Sequence, residues 1–429
     1  MTLHEVESIS AESMRLLQLK RLQQTVKHIY KNVPFYQQKL FEQNLTPSDI
    51  HSIEDIQKLP FTTKNDLREH YPFGLFAIPP KQIARLHASS GTSGKPTVVA
   101  YSQKDIDMWA DIVARAIYMA GGRSGDILHN SYGYGLFTGG LGLHYGSERL
   151  GMITVPVSGG NTERQIQLIL DFKPSIICGT PSYILNIAEK MEEMDINPKS
   201  TSLQYGIFGA EPWSEEMRNT LETTFNIKAC DIYGLSEVIG PGVAMECHEA
   251  QNGLHVAEDH FYVEVIDPKT GKVLSEGQKG ELVFTSLTKE AMPIIRYRTG
   301  DIASIQKELC KCGRTTTKMS RVMGRVDDMM IIRGVNVFPS QIEHALLQID
   351  GVTPHYQILL TKDNNFDMLE VQVETNYPVE EWKKLEKNIT QSLRSACYVK
   401  VRVTVLPEKS IPRSHGKATR VIDKRRINV

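Results

Sequence analysis

The fold is decided by three apolar runs, Ile176-Ile177-Cys178, Tyr205-Gly206-Ile207-Phe208 and Ala229-Cys230-Asp231-Ile232-Tyr233. Helical patterns stand before and between them. Thr162 to Gln165 matches a capping box that begins a helix reaching Phe172, and Ser214, followed by two glutamates, is placed to cap a second helix that ends near Phe225. Because short apolar runs that alternate with helices are typical of buried parallel strands, the sequence predicts an α/β core.

Polar and aromatic residues follow two of these runs directly. Gly209-Ala210-Glu211-Pro212 comes after the second run, and Tyr233-Gly234-Leu235-Ser236-Glu237 closes the third. In open α/β sheets, ligands bind beyond the carboxyl ends of the strands. A flat aromatic ring, a glycine, a hydroxyl and a carboxylate suit an adenine face, a close backbone approach and a Mg²⁺ ion beside phosphates. Each of these residues alone is also common in turns.

A phosphate-binding loop is predicted just upstream, in the run Ser89-Ser90-Gly91-Thr92-Ser93-Gly94-Lys95. Its glycines let the backbone approach an anion, and its hydroxyls, backbone N–H groups and lysine can surround phosphate oxygens. A Walker A loop is excluded, because the glycine spacing differs and Pro96 stands where that motif needs a hydroxyl residue. A flexible Ser/Gly linker is the alternative.

The whole chain has the size of two unequal domains and an ordinary composition. It has 429 residues, 41% of them hydrophobic, with 49 basic and 50 acidic side chains, so its near-neutral charge gives no field for nucleic acid or an anionic membrane. We expect small-molecule partners. The start of the chain does not resemble a signal peptide, no apolar run has the length of a membrane span, and six cysteines do not form a disulfide framework, so a cytoplasmic location is expected.

A change of pattern after Gly253 predicts a small β subdomain, with strands Phe261–Ile266 and Gly280–Thr285. Asp301 follows at an expected Gly-Asp turn, where it could accept hydrogen bonds from ribose hydroxyls or form an Asx turn. We predict a domain boundary between residues 326 and 327, and hence domains 1–326 and 327–429. From the strand Met329–Ile332 onward, the second domain shows a βαββαβ order typical of an α+β unit. The remaining predicted elements are a helix at Ser340–Ile349, strands at Tyr356–Thr361 and Leu369–Glu374, a helix at Val379–Ala396 and a strand at Val401–Leu406.

Two short clusters of soft ligands suggest a metal. Cys310 and Cys312 stand on a turn, while Cys247 and His255 lie on the segment leading into the β subdomain. Together they predict a structural Zn²⁺ site with three cysteines and one histidine. His248 is the alternative fourth ligand, and a set of unliganded buried thiols is the alternative to a metal site.

These segments, in this order, resemble the adenylate-forming superfamily of acyl-CoA synthetases, peptide-synthetase adenylation domains and luciferases. The resemblance is strongest to phenylacetate-CoA ligases, and it rests on the phosphate-loop run and on Asn32–Tyr36, Tyr132–Gly140, Glu258–Phe261 and Arg333–Ser340. It implies a large AMP-binding domain with α/β sheets, a smaller mobile C-terminal domain and a homodimer. It also implies that ATP and Mg²⁺ are used to adenylate an aryl carboxylate, whose acyl group then passes to CoA.

The resemblance also assigns individual residues. Residues 89–97 would hold phosphates, Glu211 and Pro212 would flank the nucleotide, and Asp231 and Gly234 would belong to the same nucleotide-binding segment. Tyr233 would lie against adenine, and Ser236 near the acyl phosphate. Glu237 would hold Mg²⁺, Asp301 and Arg325 would bind ribose, and Lys417 would reach in from the small domain. Lys417 could instead belong to a solvated basic tail.

An aryl pocket is predicted in the glycine-rich loop around residues 132–140, because its glycines leave space for a ring between aromatic side chains. The pocket residues are Tyr132, Tyr134, Phe137, Ala210, Ile239 and Pro241. An aromatic core patch under a loop is the alternative. Two other functions also stay open at this point: an enzyme that loads a carrier-protein thiol, and a catalytically silent nucleotide-binding regulator.

Overall fold

The computed structural model describes residues 2–88, 96–326, 328–332, 335–363, 366–414, 416 and 418–425. Within these ranges the helices are α1 Ala11–Asn32, α2 Pro34–Glu42, α3 Lys64–Glu69, α4 Gln103–Met119, α5 Thr138–Leu150, α6 Thr162–Phe172, α7 Pro181–Glu193, α8 Glu215–Phe225, α9 Pro339–Leu347 and α10 Trp382–Cys397. The strands before residue 260 are β1 Arg85–Ala88, β2 Val98–Tyr101, β3 Ile127–Asn130, β4 Ile153–Val155, β5 Ile176–Gly179, β6 Tyr205–Gly209, β7 Lys228–Leu235, β8 Gly240–Glu246 and β9 Leu254–Val256.

The later strands build the β subdomain and the C-terminal unit. They are β10 Phe261–Ile266, β11 Gly280–Ser286, β12 Tyr297–Ala303, β13 Ile305–Gln306, β14 Lys318–Met319, β15 Gly324–Arg325, β16 Met330–Ile332, β17 Val335–Val337, β18 Val352–Asp363, β19 Phe366–Thr375, β20 Val401–Pro407 and β21 Val421–Asp423. The predicted strands at 176, 205, 229, 261 and 280 are all present.

The main sheet has the order β13-β14-β9-β8-β7-β6-β5-β3-β4. Its half from β4 to β7 is parallel, with β5, β6 and β7 as neighbours, and β7 then pairs antiparallel with β8. The predicted α/β class is therefore confirmed. Since three neighbouring parallel strands end at one edge, the residues after β5, β6 and β7 are brought together there.

Of the two predicted helix N-terminal caps, the one at α8 is correct and the one at α6 is wrong. Ser214 caps α8, because its side chain accepts a hydrogen bond from the backbone N–H of Met217. The capping box at Thr162 is wrong: Asn161, in a left-handed conformation, is the N-cap of α6. The Gln165 side chain is instead buried, with Oε1 2.6 Å from His129 Nε2. The buried His129 ring requires a hydrogen-bond partner, which the Gln165 amide supplies, whereas the helix N-terminus is capped by Asn161.

The β subdomain is a four-stranded sheet in the order β10-β11-β12-β15. Asp301 lies inside β12, opposite Arg325 of β15, and not in the predicted turn. The pairing of β12 with β15 therefore sets this aspartate on a sheet surface, where its carboxylate is held by neighbouring strands.

The C-terminal unit has a core of its own. Its residues run from Met330 to Val403, whereas the core of the larger unit includes residues up to Met319. Its sheet has the order β20-β19-β18-β21, and α9 and α10 complete the predicted βαββαβ pattern. The sequence reasoning missed β17, which forms a hairpin with β16, and β21, which pairs parallel with β18 in a segment interpreted as a basic tail.

No helix in the ranges that the structure describes combines the length and apolarity needed to cross a membrane.

Candidate active site

A cavity of about 190 Å³ opens at the carboxyl ends of β6 and β7. Eight residues predicted from the sequence line it: Ala210, Glu211, Pro212, Asp231, Tyr233, Gly234, Asp301 and Arg325. These eight come from four separate parts of the chain, at residues 210–212, 231–234, 301 and 325. The cavity thus joins the edge of the parallel sheet to the β12–β15 pair.

A hydrogen-bonded chain fixes one wall of this cavity. Tyr233 Oη donates to Asp301 Oδ2 at 2.6 Å, and Arg325 Nη1 donates to Asp301 Oδ1 at 2.6 Å. The Tyr233 ring also stacks on Phe284, with centroids 5.9 Å apart. Burial, followed by the negative charge of Asp301, raises the pKa of Tyr233 well above its ordinary value. The phenol therefore stays protonated and donates a hydrogen bond to the Asp301 carboxylate.

Gly234 is required by packing of the strands. A Cβ atom at this position would lie 2.0 Å from the carbonyl oxygen of Gly240 on the neighbouring strand β8. Ala210, which also lines the cavity, has a φ of 68°, a left-handed conformation that costs a non-glycine residue free energy and is often found at functional turns.

Asp231 is a buried residue of the cavity wall. Burial, followed by the negative charge of Glu246, raises its pKa to about 7. Glu246 is itself buried and is paired with Arg218, whose Nη2 donates to Glu246 Oε2 at 2.7 Å. Burial therefore favours the protonated carboxyl group of Asp231 more than that of an exposed aspartate, while Arg321 Nε lies 3.7 Å from Asp231 Oδ2.

Two further lining residues escaped the sequence reasoning. The Arg321 guanidinium lies 4.5 Å from the Trp213 ring centroid, and its Nη1 is 3.2 Å from Glu215 Oε1. Both side chains line the cavity. The tryptophan directly after Glu211-Pro212 was a usable signal, since large aromatic residues are common in ligand sites. Arg321 had no such signal, because its partners lie about a hundred residues upstream.

Ser236 and Glu237 follow the cavity along the chain and are buried. Ser236 Oγ lies 3.0 Å from Thr138 Oγ1, and Thr97 Oγ1 donates to Glu237 Oε1 at 3.4 Å. The last residue of the predicted phosphate loop thus touches the predicted Mg²⁺ ligand. Ser89, Ser90, Gly91, Thr92, Ser93, Gly94 and Lys95, and also Lys417, lie outside the described residues.

The predicted aryl-pocket residues have different surroundings. Tyr134 Oη accepts from Asn130 Nδ2 at 2.9 Å, and burial raises the pKa of Tyr134 to about 12. Tyr132 is buried, whereas Phe137 is 41% exposed. Ile239 and Pro241 are tied through their carbonyls, which accept from Tyr101 Oη and Trp109 Nε1. Of the six, only Ala210 lines the cavity described above.

Lys289 is a buried lysine that lies against Tyr101, the residue that donates to the carbonyl of Ile239. Lys289 is 2% exposed, its Nζ has no hydrogen-bond acceptor among the residues described, and it lies 4.6 Å from the Tyr101 ring centroid. Burial lowers its pKa to about 8, against the attraction of Asp105 and Glu237. Nothing in the sequence around Lys289 indicated that it would be buried.

Three buried cysteines and a histidine form a separate cluster on β9 and the loops before it and before β14. The candidate ligand atoms of Cys247, His255, Cys310 and Cys312 all lie within 4.8 Å of one another. The hydrogen bond from Cys247 lowers the pKa of Cys312, against the effect of burial. His248 is not part of the cluster, since its Nδ1 bonds to the carbonyl of Met119 at 3.0 Å.

Comparison with known proteins shows which family this chain resembles in sequence. A model of AMP-binding enzymes matches residues 7–288, and a model of the AMP-binding enzyme C-terminal domain matches residues 334–425. The chain is 52% identical to phenylacetate-coenzyme A ligase of Aromatoleum evansii, covering 99% of this chain and 97% of that protein, and 48% identical to the Escherichia coli K12 ligase of the same name, covering 99% and 98%.

Solved structures match both the fold and the arrangement of the two units. A crystal structure of 2-hydroxyisobutyryl-CoA ligase in the postadenylation state aligns with a TM-score of 0.93 at 29% identity, covering 99% of this chain and 92% of that one. The same enzyme in the thioesterification state aligns with a TM-score of 0.74 at 30% identity and the same coverage. The chain belongs to the AMP-binding enzyme family and, within it, to the phenylacetate-coenzyme A ligases.

Proposed function

We propose that this protein joins phenylacetate or an aryl acid of similar size to CoA, with ATP converted to AMP and pyrophosphate. The observation that carries the proposal is the cavity in which Tyr233, Asp301 and Arg325 form one hydrogen-bonded chain beside the ends of β6 and β7. An aromatic face for adenine and a carboxylate for ribose hydroxyls are what a nucleotide site requires.

The chemistry explains why a nucleotide is needed. A carboxylate is a poor electrophile, and joining it to AMP supplies a good leaving group for attack by a thiol. The carboxylate and the α-phosphate are both negative, so catalysis consists mainly of positioning and of positive charge that offsets their repulsion. No enzyme nucleophile takes part in this reaction.

Glu237 is proposed to hold Mg²⁺. A buried carboxylate beside the Thr97 hydroxyl offers the hard oxygen ligands that this ion prefers, and Mg²⁺ would neutralise charge on the triphosphate. Ser236 would stand next to the reacting phosphate. Residues 89–95 would cradle the remaining phosphate oxygens.

The acid is proposed to bind beside Tyr132, Tyr134, Phe137, Ala210, Ile239 and Pro241. Phenylacetate is the acid in the names of the relatives that are about half identical to this chain. Aromatic side chains and loop glycines suit a ring of this size. No observation favours a carrier protein as the acyl acceptor.

Lys417 is proposed to act in adenylation only, between the incoming carboxylate and the α-phosphate. It would then withdraw when residues 327–429 rotate about the Asp327-Asp328 junction, leaving room for the thiol of CoA. A positive charge that helps one half-reaction and would obstruct the next is best carried on a domain that moves.

The test is a panel of acids assayed with ATP, Mg²⁺ and CoA. Pyrophosphate release should depend on the aryl acid and be followed by thioester formation without any carrier protein. Activity that requires a carrier protein would replace this proposal by the alternative acceptor.

We also propose a structural Zn²⁺ ion in the cysteine cluster. Ideal tetrahedral coordination sets S to S distances of about 3.8 Å and S to N distances of about 3.6 Å. Cys247 Sγ and Cys310 Sγ are 3.7 Å apart, and Cys312 Sγ lies 3.5 Å from His255 Nε2. Thr316 Oγ1 lies 3.0 Å from His255 Nδ1, which orients the ring with Nε2 toward the sulfurs.

Zinc is measured directly on the purified protein, and we expect about one ion per chain. Replacing Cys310 and Cys312 together by Ser should remove the ion and lower the midpoint of thermal unfolding. The control is Cys397→Ser, a buried thiol of the other core, which should keep the ion. A wild-type protein without zinc, or a double variant of unchanged stability, would leave four unliganded side chains.

A homodimer and a cytoplasmic location complete the proposal, both carried over from the family resemblance and the composition. Light scattering of the purified protein at several concentrations checks the first, and fractionation of producing cells checks the second.

A further inference from the structure

Residues 416 and 418 of the C-terminal unit are held by side chains of the larger unit. Thr180 Oγ1 donates to the carbonyl oxygen of Gly416 at 3.1 Å, and Ser182 Oγ donates to the same oxygen at 3.4 Å. The backbone N–H of Ala418 donates to Glu211 Oε2 at 2.8 Å. One carbonyl and one N–H on the two sides of position 417 are therefore both bound across the contact.

The Glu211 carboxylate, which accepts from Ala418, is held in position by the larger unit. Glu211 Oε1 accepts from the backbone N–H of Ser182 at 2.8 Å, in the first turn of α7. A carboxylate is stabilised at a helix N-terminus, where N–H groups have no partner within the helix. The second oxygen of Glu211 is thereby aimed at Ala418. Thr180 and Ser182 are 6% and 9% exposed.

Other contacts between the two units lie away from this point. Glu189 accepts from Arg413 Nε at 2.9 Å and also pairs with His355. Glu343 accepts from the backbone N–H of Ser214 at 3.1 Å. These groups hold the units together without touching residue 416 or 418, so docking of the units and holding of the segment around position 417 depend on different side chains.

We infer that Thr180, Ser182 and Glu211 are positioning residues, which hold the segment around Lys417 in place for the adenylation step. This rests on the proposed function, in which Lys417 serves adenylation. The contacts belong to the arrangement that resembles the postadenylation structure, and they must break when the small unit rotates. Glu211, predicted from resemblance to flank the nucleotide, thus has a second role that its two backbone partners define.

Glu211→Gln is the sharpest perturbation. The amide keeps the size of the side chain, but its NH₂ group would face one of the two N–H donors, so one of the two hydrogen bonds is lost. Since both are charge-assisted, acid-dependent pyrophosphate release should fall by about tenfold to a hundredfold. Glu211 also lines the nucleotide cavity, so selectivity between the half-reactions is tested at Thr180 and Ser182, which do not line it. In a Thr180→Val/Ser182→Ala variant, thioester formation from supplied phenylacetyl-adenylate and CoA should change less than about twofold.

The Thr180→Val/Ser182→Ala double variant tests the carbonyl side of the contact. Neither side chain lines the 190 Å³ cavity, so the KM for ATP should stay unchanged while pyrophosphate release falls. Thr201→Val is the matched control, because its hydroxyl also donates to a backbone carbonyl, that of Pro198 at 2.8 Å, within the larger unit. This control should keep both half-reactions.

Three results would overturn the inference. One is equal loss of both half-reactions in the Thr180/Ser182 variant. Another is full pyrophosphate release in this variant and in Glu211→Gln. A third is an equally large and selective loss in Glu189→Gln, which would assign the effect to docking of the units in general. If the wild-type protein releases no pyrophosphate with any aryl acid, the proposed function itself fails, and this inference fails with it.

Discussion

Replacing Lys289 by Met should stabilise the larger unit at neutral pH. The ammonium is buried without a hydrogen-bond acceptor among the described residues, and its pKa is lowered from 10.5 to about 8. A difference of about 2.5 pKa units corresponds to about 3 kcal/mol of unfavourable free energy while the wild-type lysine is charged. Methionine fills a similar volume and carries no charge, so the variant should recover most of that amount.

The sign of the pH dependence follows from the same pKa. Between pH 8 and 10.5 the unfolded chain binds a proton at Lys289 and the folded chain does not, so raising the pH stabilises the folded wild type. The advantage of Lys289→Met should therefore shrink from about 3 kcal/mol at pH 7 to about 1 kcal/mol at pH 9.5.

The assay is urea unfolding followed by tryptophan fluorescence at both pH values, with the exposed Lys279→Met as control. An advantage of Lys289→Met that is absent at pH 7, or that does not change with pH, would refute the account of a buried, unpaired ammonium.

Phe137→Asn should raise the KM for phenylacetate by about tenfold, since burying a ring against an apolar wall contributes roughly 1.5 to 3 kcal/mol, and leave the KM for ATP unchanged; equal changes in both would remove Phe137 from the acid pocket. Asp301→Asn should raise the KM for ATP by about tenfold, because Tyr233 and Arg325 lose their charged acceptor, and steady-state kinetics with phenylacetate held saturating is the measurement. Lys417→Ala should lower acid-dependent pyrophosphate release by about a hundredfold or more and leave the conversion of supplied acyl-adenylate nearly unchanged; an equal loss in both half-reactions would rule out the alternating role.

Local pattern was sufficient for the parallel strands and for the Ser214 cap, because alternation of apolar runs and a helix N-cap are properties of neighbouring residues. It failed at Gln165, where a buried histidine on β3 takes the amide that the capping box needed. It failed again at Asp301, since only the pairing with Arg325 shows that the aspartate lies within a sheet.

Among the residues that come together from distant segments, some could be predicted from the sequence and others could not. The cysteine cluster could be proposed because cysteine pairs and histidines in two short segments are typical of metal ligands. Only the structure shows that His255, and not His248, faces Cys312. Lys289 and Arg321 gave no signal, since their importance comes from burial and from neighbours far away in sequence.

Product analysis of one reaction tests the central claim most directly. Purified protein is incubated with ATP, Mg²⁺, CoA and phenylacetate, and in parallel with palmitate. The account predicts phenylacetyl-CoA, AMP and pyrophosphate in equal amounts, and little product with palmitate. Formation of ADP, or faster thioester formation with palmitate than with every aryl acid, would contradict it.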